Sequence, residues 1–79
     1  MTLAEAWASY RRDILPADLS EQRVNESRRD FYAGAFMLLS YLTSVAEDPS
    51  HDPFAVEHEL VELWDECRRF AQDVEMGVA

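Results

Sequence analysis

The chain has no lysine, one cysteine, two glycines and three prolines. Each scarcity excludes something. A single thiol, Cys67, cannot form an intrachain disulfide, and a reducing compartment is the simpler expectation. Two isolated glycines, Gly34 and Gly77, leave no glycine-rich loop to cradle a phosphate. No apolar run exceeds Ala35 to Leu39, far short of a bilayer span. The opening "MTLAEAWASYRRD" lacks a basic start followed by an apolar run, so no signal peptide is expected. A cytoplasmic protein without a membrane partner is expected. Strand-like alternation, internal repeats and low-complexity tracts are also missing.

At 79 residues the chain has room for one domain, 1–79, with a core that is marginal on its own. The net charge of −9 is uneven. Residues 1–19 set Arg11 and Arg12 against Glu5, Asp13 and Asp18. Residues 20–46 balance Arg23, Arg28 and Arg29 with Glu21, Glu26 and Asp30. Residues 47–79 carry −8. That acidity argues against direct DNA or RNA binding, which needs a basic face. All seven cations are arginine, six of them in the pairs 11–12, 28–29 and 68–69. Guanidinium forks suit carboxylate and phosphate. A GC-rich genome, which displaces lysine codons, would give the same composition.

The spacing predicts three helices, at about 3–14, 20–46 and 53–75. Thr2 and Glu5 make a capping box, and Asp18 with Glu21 reads as a second. Leu3, Trp7, Tyr10 and Ile14 form one stripe, and Pro16 ends the first helix. Val24, Phe31, Ala35, Leu38, Leu42 and Val45 form a stripe on the second, with Arg28 inside it and Tyr32, Phe36 and Leu39 flanking. "EDPSHDP", 47–53, is the clear loop, and its His51 has no sequence partner. Asp52 with Pro53 reads as a helix start, and Gly77 as a helix stop. Val56, Leu60, Leu63, Cys67, Phe70 and Val74 alternate four and three along the third helix. The expected fold is all-α: a short N-terminal helix packed on a long antiparallel helical hairpin. The apolar stripes are wider than two facing helices need, which points to assembly as a homo-oligomeric helical bundle.

The stretch "NESRRDFYAGAF", Asn25 to Phe36, holds the candidate site. Gly34 between Ala33 and Ala35 reads as a close helix crossing. For Arg28 and Arg29 two readings stand. In one they pair with Glu21, Glu26, Asp30 or the acidic third helix, as solvated ion pairs worth about 0–1 kcal/mol. In the other Arg28 and Arg29 grip a small anion, Tyr32 or Phe31 stacks on a base, and Arg11 or Arg12 completes the clamp.

Other chemistry is thinly supplied. "HELVE", His58 to Glu62, lacks the second histidine of a zinc-protease helix. His58 with Glu62 and Glu66 reads as a solvated face. Cys67 lies on the apolar stripe, as a buried small hydrophobe would, and no base is marked out to activate it. No enzyme activity, metal or cofactor is expected.

"ESRRDFYAGA" resembles the E-[ST]-R-R-x-F-Y-A-G-A signature of a small, poorly characterised family of phage and prophage proteins. Ala6–Trp7 with Tyr10, the Leu15–Pro16 break and the acidic third helix match the rest of that pattern. The resemblance implies phage origin and action in the host cytoplasm. The expected function is sequestration of a small anionic, nucleotide-derived immune signal through Arg28, Arg29 and Tyr32, with Arg11 or Arg12. Two alternatives remain: an acidic inhibitor that binds a host defence protein or mimics nucleic acid, and an accessory of phage assembly.

Overall fold

A computed structural model describes residues 1–50 and 52–79, so the loop histidine His51 lies outside the described residues. These residues form three α-helices and no strand: α1 (Leu3–Asp13), α2 (Glu21–Glu47) and α3 (Ala55–Glu75). None of the helices is long and apolar enough to cross a membrane. The chain divides into two units, Met1–Leu39 and Ser40–Ala79, with the boundary inside α2.

Local chemistry explains the boundaries. The Thr2 hydroxyl oxygen accepts from the Glu5 backbone N–H at 3.1 Å, capping α1 as its sequence predicts. The second cap differs from expectation. Ser20, not Asp18, accepts from the Arg23 backbone N–H at 3.2 Å. Ser20 also supplies the carbonyl for the first helical bond, from Val24 N–H at 3.0 Å. The start of α3 falls two residues later than its proline suggests. Asp52 Oδ1 still takes the Phe54 N–H at 2.7 Å. However, the Ala55 N–H bonds the Asp52 carbonyl, closing a tight three-residue turn before i→i−4 bonding begins with His58 to Phe54. At the far end Gly77 has φ +75°, and Val78 and Gly77 donate to the Asp73 and Val74 carbonyls. This is a full Schellman stop, with glycine at the left-handed position.

In the first unit, α1 meets the beginning of α2 through aromatic rings. Trp7 and Phe31 pack edge to face with centroids 5.5 Å apart, and Tyr10 lies 5.7 Å from Phe31. Val24, Ala35 and Phe31 are half-buried on that side of α2. In the second unit Val45, at 5% exposure, is the single buried residue of the described chain. Leu42, Val56 and Leu63 of the same unit are half-buried, in sequence register. Leu60, Cys67, Phe70 and Val74, expected in the buried stripe, are exposed. Gly34 is not a crossing point within this chain: a Cβ added there meets nothing within 4 Å.

Candidate anion-binding site

About two turns of α2 build the site. Arg28 and Arg29 each lie three or four residues from both Asn25 and Tyr32, so the four share one helix face. Together they line an open cavity of about 480 Å³. The Arg28 guanidinium carbon lies 5.8 Å from the centre of the Tyr32 ring, within cation–π range. Tyr32 is half-buried and meets Phe31 edge to face, with ring centroids 5.9 Å apart. Two χ angles and a packed neighbour fix the ring. A guanidinium carries its N–H donors along its edge, the shape that suits a bidentate acceptor.

Neither Arg28 nor Arg29 has a hydrogen bond or ion pair to a carboxylate among the described residues. The arginines that are paired lie elsewhere: Arg12 with Asp13, and Arg68 with Asp65. Two acidic side chains border the site on its N-terminal side. Glu21 and Glu26 share a neighbouring cavity with Gln22, Asn25 and Arg29, and Gln22 donates to Glu26 at 3.3 Å. An anion is therefore favoured at the Arg28 end and repelled at the Glu21 end.

Arg11 and Arg12 line a different cavity, of about 570 Å³, with Trp7, Ala8, Leu15 and Ala17. Each is also engaged locally. Arg11 Nη1 donates to the Pro16 carbonyl at 3.1 Å, satisfying an acceptor beyond the end of α1. Arg12 holds Asp13 through two hydrogen bonds. That pairing moves the Asp13 carboxyl below its ordinary range and the Arg12 guanidinium above its own, chiefly through the shared hydrogen bonds. The structure thus brings Arg28, Arg29 and Tyr32 together and places Arg11 and Arg12 in a second groove. Asn25 is a lining residue that sequence reasoning passed over. Its signal was the spacing to Arg28, Arg29 and Tyr32, which repeats the helical turn.

On α3, no group of three or more described His, Cys, Asp or Glu side chains could hold a metal ion. Comparison with known proteins finds no matching protein family, no matching curated protein and no matching solved structure.

Proposed function

We propose that this protein binds a small anion bearing an aromatic base, a nucleotide or nucleotide-derived signal, along α2 between Asn25 and Tyr32, and withholds it without altering it covalently. The observation that carries this reading is the Arg28–Tyr32 cation–π contact beside Arg29, with neither guanidinium committed to a carboxylate among the described residues. A guanidinium that lies over a ring keeps its donor edge for phosphate. The Tyr32 ring offers an apolar plane next to it, the pairing that recognises a base and its phosphate together. The resemblance of "ESRRDFYAGA" to small phage proteins supports a setting in which such a signal is a host defence molecule.

Equilibrium binding of AMP, ADP, ATP and cyclic di-AMP to the full chain tests the reading. Replacing Arg28 by Ala removes charge-assisted hydrogen bonds worth about 1.5–3 kcal/mol each, a loss of roughly 10- to 100-fold in affinity. Arg28→Lys keeps the charge but not the fork, so it restores only part of the loss. Helical circular dichroism stays at the wild-type level, because Arg28 is exposed and makes no backbone contact. Affinity unchanged in Arg28→Ala would remove the site from α2.

A further inference from the structure

Where α1 meets α2 inside the first unit, a further groove has the opposite chemistry. Tyr10 of α1 and Ser27, Asp30 and Phe31 of α2 line a cavity of about 380 Å³. Asp30 and Phe31 follow Ser27 by three and four residues, so the three share one helix face. Tyr10 borders the groove from the neighbouring helix, its ring 5.7 Å from that of Phe31 and tilted 33° to it. Trp7 packs against both rings, 5.9 Å from Tyr10 and 5.5 Å from Phe31, and so restrains them. Ser27 and Phe31 are half-buried. Among the described residues Asp30 is the only charged side chain in the lining, and it makes no hydrogen bond or ion pair. Arg28, two residues back, falls about 200° around the helix at 100° per residue, on the anion-binding side.

We infer that the groove of Tyr10, Ser27, Asp30 and Phe31 binds a small alkylated ammonium ion. Three observations select that chemistry. The first is sign. One carboxylate without a partner, and no arginine in the lining, favours a cation and disfavours an anion. The second is the wall. Two aromatic rings beside a carboxylate attract a weakly hydrated organic cation through their negative faces. A hard metal ion instead needs six or more oxygen ligands, and this lining offers one carboxylate and two hydroxyls. The third is size. A cavity of about 380 Å³ lies within the range of small-molecule sites and is far roomier than a bare ion requires. The Ser27 and Tyr10 hydroxyls supply acceptors for any N–H or O–H group the ion carries. This site is independent of the anion-binding reading, since it shares no lining residue with the Arg28–Tyr32 groove.

The experiment is an NMR titration of the full chain with tetramethylammonium, and in parallel with ammonium, at about 0.15 M salt to screen diffuse attraction to the acidic surface. The expected result is a saturable set of shifts centred on Tyr10, Ser27, Asp30 and Phe31, with tetramethylammonium binding more tightly than ammonium. Asp30→Asn, which keeps the shape and removes the charge, weakens binding by at least about 5-fold. Tyr10→Leu weakens it roughly 2- to 5-fold, while Tyr10→Phe, which keeps the ring, stays near wild type. Arg28→Ala leaves the titration unchanged. Shifts that never saturate, or that gather on residues 47–79, would overturn the inference by tracing the effect to net charge. So would an Asp30→Asn variant that binds as wild type does, or ammonium binding as tightly as tetramethylammonium. If Tyr10→Leu does not fold, the Asp30→Asn comparison decides alone.

Discussion

Ser20 and Asp18 show how finely a single side chain sets a boundary. Both are good helix-capping residues, and either reads as the start of α2. The chain uses Ser20, because its hydroxyl reaches the Arg23 N–H three residues on, the geometry of a cap. Asp18 lies two positions outside. Replacing Ser20 by Ala is therefore expected to cost about 1 kcal/mol of stability, and Asp18→Ala little. Denaturant unfolding of the two variants compares them directly, and the opposite order would return the cap to Asp18. At the other end of the chain Gly77 is required by its positive φ, as its place after the last apolar residue suggests.

At the scale of the element, α2 carries most of the interest. Its 27 residues span about 40 Å, and they present different chemistry on different sides. One side packs Val24, Phe31 and Ala35. Another carries the arginine–tyrosine pair and then Phe36 and Leu39. Gly34 falls about 200° around the helix from Phe36, at 100° per residue, and faces open space. A helical glycine with no close neighbour contributes only backbone entropy to the unfolded state. Gly34→Ala is accordingly expected to stabilise the protein by about 1 kcal/mol without changing its mass in solution. Destabilisation in the same unfolding measurement would reveal a close neighbour at Gly34.

For the whole molecule, charge and pH are the accessible variables. Tyr41 of α2 lies close enough to α3 for Glu59 to act on it. Hydrogen bonding to Glu59, burial and the charges of Glu59 and Glu62 all push the Tyr41 phenol above its ordinary value of 10.0. The neutral phenol is thus favoured in the folded state. Its contribution to stability is fully present below the unfolded pKa of 10.0 and is lost as pH rises through the higher folded value. Unfolding followed across that alkaline range should show wild type losing stability faster than Tyr41→Phe. Equal slopes would separate Tyr41 from Glu59. Asp13 works in the other direction: its lowered pKa contributes above 3.8 and fades on acidification.

The number and order of the helices were legible in the sequence, because apolar spacing, proline and capping residues act over three or four neighbours. The Thr2 cap, the Gly77 stop and the grouping of Arg28, Arg29 and Tyr32 are of this kind. The tertiary structure decided matters that depend on distant parts of the chain. It placed Arg11 and Arg12 in a separate groove, because Pro16 and Asp13 hold them at the end of α1. It exposed Cys67 and Phe70, although their periodicity matches that of half-buried Val56 and Leu63. It left Arg28 and Arg29 without carboxylate partners among the described residues, in a sequence with sixteen acidic residues to choose from. A helix fixes which side chains share a face. Which of those faces another element covers, and which are left to water or to another molecule, is settled only when the chain packs.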